Sequence, residues 1–304
     1  MNLKRRTRKN KIKINGGALT GNQIFDLYAT FLPDFNNFNN LAIDNIKPLN
    51  FDKDLYNDKC HVFYIDNSNY KSDLYKIYNI RFIIVHQGTR PQIRDWGNNV
   101  RNLIMGRFNM KGRIYDKLTT SRNLIARRGH ERLKTWIKDL YKNQKNKEYG
   151  AIIKTINNII GNYKKDFQDS NINIDKVIDE LLLNTLTTIG HSQGAVYAYL
   201  YGNQGKETIV INPAPYNNKK PDNIYIIRRK GDPVSIFTSY DNNIAEDRII
   251  TLPKKRSGVT HKISTLYGNP RPFGNMFLYN KEPNLNENNK LHSYTNKTSR
   301  KPIK

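Results

Sequence analysis

The stretch TTIGHSQGAVYAYL, Thr187 to Leu200, decides the fold. Leu186 to Ile189 is a short apolar and β-branched run that reads as a strand, and Ala195 to Leu200 reads as a helix. Only GHSQG joins them. A chain that passes from strand to helix in so few residues must turn sharply, and Gly190 and Gly194 remove side chains that would crowd that turn. Ser192 sits at its tip, with its hydroxyl held above the sheet edge. The helix that follows points its positive end, and first the backbone N–H of Gln193, at the place where an oxyanion would form beside the serine.

Outward from the turn, strands and helices alternate. HVFYIDN (His61 to Asn67), IRFIIVHQ (Ile80 to Gln87), ETIVINPAP (Glu207 to Pro215) and NIYIIRR (Asn223 to Arg229) are β-branched or aromatic runs bounded by polar residues. Ile83, Ile84 and Val85 run consecutively, which predicts a strand buried on both faces. Leu133, Trp136, Ile137, Leu140 and Tyr141 recur at helical spacing, as do Ile174, Val177, Ile178, Leu181 and Leu182. Between these helices the chain is mostly polar, with a helical patch around Ile152 to Ile160, and reads as an excursion. Alternation of this kind predicts an α/β fold, a mostly parallel central sheet with helices on both faces. A chain of 304 residues is long enough for one sizeable core. The expected division is a basic arm over residues 1–20, one α/β body over 21–292 and a basic tail over 293–304.

Charge bears on partners. The formal net charge is +25, which attracts polyanions such as nucleic acid and anionic membrane surfaces. The same surplus also accompanies a general crowding of Asn, Ile, Lys and Tyr, a bias that AT-rich coding produces whatever the function. Seven Lys or Arg fall between Lys4 and Lys13 with no acid among them, so the arm is expected to be disordered and to suit nucleic-acid contact or nuclear import. No signal-peptide pattern follows, and no apolar run approaches the roughly 20 residues of a membrane-crossing helix. Cys60 is the only cysteine, which excludes a disulfide framework and CxxC metal sites. Intracellular or virion localisation is expected, with no transmembrane segment.

A serine hydroxyl needs a base and a group to orient it. In strand–serine–helix hydrolases the chain order is Ser, then an acid, then His. That order leaves His261 and His292 as candidate bases, since His61, His86 and His130 precede Ser192 and His191 lies in the turn itself. Asp232, in RRKGDPVS, follows a strand directly and so lies at its carboxyl end, where ligand sites of such sheets gather. As a Gly-Asp-Pro turn it is equally ordinary loop chemistry.

GHSQGA (Gly190 to Ala195), GDPVS (Gly231 to Ser235) and HQGTRPQIRDW (His86 to Trp96) together resemble the class 3, fungal-type lipases, over roughly Phe82 to His292. The resemblance implies an α/β-hydrolase fold and a Ser192–Asp232–His triad. It places the oxyanion hole at the backbone N–H groups of Thr89 and Gln193. It favours His292, 60 residues after Asp232 in NKLHSYTNK, over His261, 29 residues after it in GVTHKISTL. The chain departs from the family at Gln193, where Leu is usual, and at Ala195, where Gly is usual, and no H-x-G-x-E pattern surrounds either late histidine. In such lipases a short helix following the upstream block is a lid, which here falls on Ile93, Trp96 and Val100. An ordinary core-facing helix fits their spacing as well. The basic arm resembles the starts of many large DNA virus proteins, which would put the protein in host cytoplasm or virion.

The expected activity is carboxylic ester hydrolysis, with a lipid or phospholipid as substrate and no metal or cofactor. Thioesterases and peptidases share the fold. The competing class is a non-catalytic basic virion or nucleic-acid-binding protein on a hydrolase scaffold, which interleaved Tyr and Lys, as in YKSDLYKIYNIR, would suit.

Overall fold

A computed structural model describes residues 19–31, 41, 43, 45–49, 60–66, 79–88, 129–143, 147–167, 172–214, 222–232, 244, 248–253 and 272–273. The described chain opens with a two-residue strand, β1 (Leu19–Thr20), and a helix, α1 (Gly21–Ala29). Thr20 caps that helix: its hydroxyl accepts from the Gln23 N–H at 3.3 Å, and the Gln23 side-chain oxygen accepts from the Thr20 N–H at 2.8 Å. Leu19 is fully buried, so the last two residues of the expected arm take part in the folded body.

Seven strands form one sheet and lie side by side in chain order: β2 (Ile46–Pro48), β3 (Cys60–Asp66), β4 (Ile80–His86), β5 (Leu186–His191), β6 (Glu207–Ile211), β7 (Ile224–Arg229) and β8 (Ile249–Leu252). β2, β3 and β4 pair antiparallel, and β4 through β8 pair parallel. The protein is therefore of α/β class with a mostly parallel sheet. β9 (Pro272–Phe273) pairs antiparallel with β1, Leu19 opposite Phe273, and joins early and late parts of the chain.

Further helices are α2 (129–143), α3 (Gly150–Phe167), α4 (Ile174–Thr185) and α5 (Gln193–Tyr201). Alternate residues of a strand face opposite sides, and the core divides accordingly. Val62, Tyr64, Phe82, Ile84 and Leu186 pack with Leu133 and Ile137 of α2, Ile152, Ile156 and Ile159 of α3, and Leu181 of α4. Phe63, Ile65, Ile83, Val85, Ile189 and Ile211 face the other way, onto Ile24, Leu27 and Tyr28 of α1. Every residue of β4 is buried, as its consecutive apolar run predicts.

The mostly polar stretch between α2 and α4 is not an excursion: it holds α3. Ile152, Ile156 and Ile159 stand at i, i+4 and i+7 and are essentially fully buried, and each contributes about 1.5–3 kcal/mol relative to exposure. The asparagines and lysines between them fill the opposite face, so a count of polar residues conceals one continuous apolar stripe.

At the amino ends of the parallel strands, on the α1 side, Arg81, Thr187 and Glu207 form a buried network across β4, β5 and β6. Arg81 Nε and Nη2 donate to Thr187 Oγ1 at 3.0 and 2.8 Å, and the Thr187 hydroxyl donates to Glu207 Oε1 at 2.9 Å. Arg81 Nη2 also pairs directly with Glu207. Among the described residues no helix is long and apolar enough to cross a membrane.

Candidate functional site

Ser192 stands between the end of β5 and the start of α5, with φ 55° and ψ −121°. This left-handed conformation is rare for a residue with a side chain and costs about 1–3 kcal/mol, so its surroundings must hold it. The Ser192 N–H donates to the Ile211 carbonyl at 3.0 Å, and the Ser192 carbonyl accepts from the N–H groups of Ala195 and Ala214, both at 3.1 Å. The turn is thus tied to the end of β6 as well as to its own helix.

The two glycines are required by close approach. A Cβ on Gly190 would lie 2.6 Å from the Ala195 Cα and nearer still to the Gly194 carbonyl oxygen, and one on Gly194 would strike the His86 carbonyl oxygen and lie 2.8 Å from that of Gln87. The obstacles are backbone atoms, which cannot swing aside as a flexible side chain would. Gly190→Ala is accordingly expected to lower unfolding free energy by about 1–3 kcal/mol or more. An unchanged urea midpoint would contradict the packing described.

The segment after β4 runs along the other side of the turn. Gly88 is close enough that a Cβ there would meet the Ser192 Cβ at 3.3 Å and the His191 carbonyl oxygen at 2.9 Å. Gly88 therefore lies directly beside the serine. Gln193 is the first residue of α5 and is buried. Its N–H belongs to the helical first turn, whose N–H groups have no intrahelical acceptor and carry the positive end of the helix dipole.

Asp232 is 1% exposed and follows Gly231, whose φ of 80° makes the tight turn out of β7. Its N–H donates to the Arg229 carbonyl at 3.1 Å. One strand, β6, separates β5 from β7, so the two strand lines are about 10 Å apart.

Asn212, which the sequence reading assigns to the strand Glu207 to Pro215, instead ends it. β6 stops at Ile211, and Asn212 takes a left-handed conformation with φ 41°. Its N–H donates to the Ile227 carbonyl at 2.8 Å and its side-chain oxygen accepts from the Arg229 N–H at 3.0 Å. Asn212 thereby locks the end of β6 to the end of β7, and two residues later Ala214 holds the serine turn. The Asn-Pro pair is a recognised turn signal and could have marked this point.

His86 and His130, excluded as bases by chain order, are buried. Burial, with a neighbouring imidazole, lowers His86 to about 3, and burial, with Lys134 nearby, lowers His130 to about 4, so both are neutral at pH 7. His191 is half-buried and meets the Tyr28 ring edge-on at 6.0 Å. The structure thus places Ser192, Gln193 and Asp232 along one end of the sheet. Thr89, the proposed lid residues Ile93, Trp96 and Val100, and the candidate bases His261 and His292 lie outside the described residues. Among the described residues no three His, Cys, Asp or Glu side chains are arranged to hold a metal ion.

Comparison of the chain with known protein families, with curated proteins and with solved structures finds no match.

Proposed function

We propose that this chain is a serine hydrolase with an α/β-hydrolase fold, similar to the class 3 lipases, that cleaves carboxylic esters through an acyl-enzyme. The observation that carries the reading is the conformation of Ser192: a strained left-handed serine at a strand-to-helix turn, packed on two glycines and tied to a neighbouring strand. Such strain persists only where the surrounding structure enforces it, and it clusters at reactive sites. The burial of Asp232 at the end of a strand two places along the sheet supports the same reading, as does the passage of Gly88 beside the serine.

In the proposed reaction a histidine, His292 ahead of His261, takes the Ser192 proton as Oγ attacks the ester carbonyl. Asp232 holds the imidazole in the tautomer that accepts this proton. The N–H groups of Gln193 and Thr89 stabilise the tetrahedral oxyanion. Collapse breaks the bond to the leaving alcohol, which takes the proton from the imidazolium, and water then releases the acid by the same steps in reverse roles. The proposed substrate is a lipid ester. A charge of +25 would concentrate the protein on anionic lipid surfaces, which favours a phospholipid.

A fluorophosphonate probe tests the reading. Covalent labelling of the peptide that carries Ser192 is expected, and a folded protein that takes no label there would favour the non-catalytic, polyanion-binding alternative. The base is tested separately. His292→Ala is expected to lose as much turnover on a soluble ester as removal of the serine, because members of one catalytic unit fail together, while His261→Ala keeps most of it. The opposite pattern reassigns the base to His261. If both variants keep full turnover, the three-residue scheme is wrong.

A further inference from the structure

Two buried histidines with no part in the proposed chemistry lie beneath the serine turn, each ring against a tyrosine of α5. His86 ends β4 and stands in register with Cys60 of β3 on one side and Gly190 of β5 on the other. It shares the strand face of Phe82 and Ile84, the face that α2, α3 and α4 cover, and its ring lies 5.9 Å from that of Tyr197 in α5. Its carbonyl oxygen lies against Gly194 of the turn. His130, the second residue of α2, stacks on Tyr201 at the far end of α5 at 5.8 Å. Gly129 beside it is so near the sheet that a Cβ there would meet Cys60 Sγ at 2.8 Å. The pair therefore occupies the junction of β3, β4, α2 and α5.

This junction suits two neutral imidazoles and no charged one. His86 and His130 are 2% and 1% exposed, and His86 Nδ1 and both ring nitrogens of His130 are buried without a hydrogen-bond partner among the described residues. Among the described residues, the ionisable groups facing His86 are His130, the Cys60 thiol and the phenol of Tyr197, with the Tyr28 hydroxyl bonded to His86's own carbonyl at 3.0 Å. His130 faces the Tyr201 phenol, Lys134 on its own helix and Asp179 of α4. Lys134 and Asp179 are bridged to each other, so the carboxylate that would favour an imidazolium is already matched by an ammonium that opposes it.

We propose that the His86–His130 pair is an acid-operated latch: it holds the start of α2 against the sheet and the serine turn while both rings are neutral, and releases α2 when they take up protons. The proposal rests on the burial of the two rings and their packing on α5 and is independent of the hydrolase reading.

The sign follows from the two states. In an opened chain both rings titrate near the ordinary histidine value of about 6.5, whereas the closed junction resists protonation until about 4 for His130 and about 3 for His86. As pH falls below about 6.5 the open form therefore binds protons that the closed form refuses. The closed state is fully favoured above that value and loses ground down to about 4 through His130 and down to about 3 through His86. Each proton shifts the closed-to-open ratio by about tenfold per pH unit, and two by about a hundredfold.

Hydrogen exchange of the full-length protein between pH 7.5 and 4.5, corrected for intrinsic rates, tests this over residues 129–143. In the wild type, protection there is expected to fall by at least about tenfold per unit below pH 6. In a His86→Leu/His130→Phe variant, which keeps the packing and the stack on Tyr201 but cannot be protonated, it should stay level. Equal pH slopes in the two proteins would overturn the latch. If the variant does not fold, the ring resonances of the wild-type histidines decide. Rings that remain neutral until α2 exchanges support the proposal, and two that titrate near pH 6.5 with α2 still protected overturn it. Exchange does not depend on turnover, so failure of this proposal and failure of the ester-hydrolase reading are separately visible.

Discussion

Ser192→Ala is expected to lower kcat on a short-chain p-nitrophenyl ester by about 10³- to 10⁶-fold and to abolish fluorophosphonate labelling, with the circular dichroism spectrum unchanged. The fold should survive because what holds the turn is backbone: the bonds from Ser192 to Ile211, Ala195 and Ala214 involve no side chain at position 192. Alanine retains the strain, since φ 55° is unfavourable for any residue with a Cβ. Ser192→Gly should be equally inactive yet more stable than Ser192→Ala, by about 1 kcal/mol, because glycine adopts that conformation without the steric cost. A serine variant that keeps wild-type turnover would end the hydrolase reading, and a glycine variant no more stable than the alanine one would end the account of stored strain.

Glu207→Ala is expected to cost about 3–5 kcal/mol in unfolding free energy, the largest stability effect anticipated for a single side chain here. Removing the carboxylate takes the Glu207 ion pair from the Arg81 guanidinium, 3% exposed, and leaves the Thr187 hydroxyl without its acceptor. The damage comes from the buried charge that has lost its carboxylate more than from the lost attraction, so Arg81→Met/Glu207→Leu should recover most of the stability. Urea denaturation of the three proteins distinguishes the cases. A Glu207→Ala variant within about 1 kcal/mol of wild type would mean that water reaches Arg81. Probe labelling of Ser192 should persist in the folded double variant, because the network lies at the opposite ends of the strands from the serine turn.

What the residues reveal alone and what requires the fold divide along the range of the interactions involved. Local features were legible. GHSQG between a strand run and a helix run forces a tight turn whatever surrounds it, Ile83–Val85 announces a strand buried on both faces, and Asp232 directly after a strand run must lie at that strand's end. α3 was nearly legible, since Ile152, Ile156 and Ile159 already carry helical spacing, but the polar residues on its other face weighed against it. Asn212 was missed as a strand end because its left-handed turn is stabilised by partners on β7, not by its neighbours in sequence.

The sequence by itself determined the α/β class and the place of the serine and its turn, because these depend on periodicity and on which residues tolerate a sharp bend. Only the tertiary structure decided the antiparallel pairing of β2, β3 and β4, the left-handed backbone of Ser192, the buried bridge of Arg81 to Glu207 and the burial of His86 and His130 against α5. Each of these joins segments far apart in the chain. Their energies come from register, desolvation and close backbone approach, which no short stretch of residues contains until the sheet has brought its partners together.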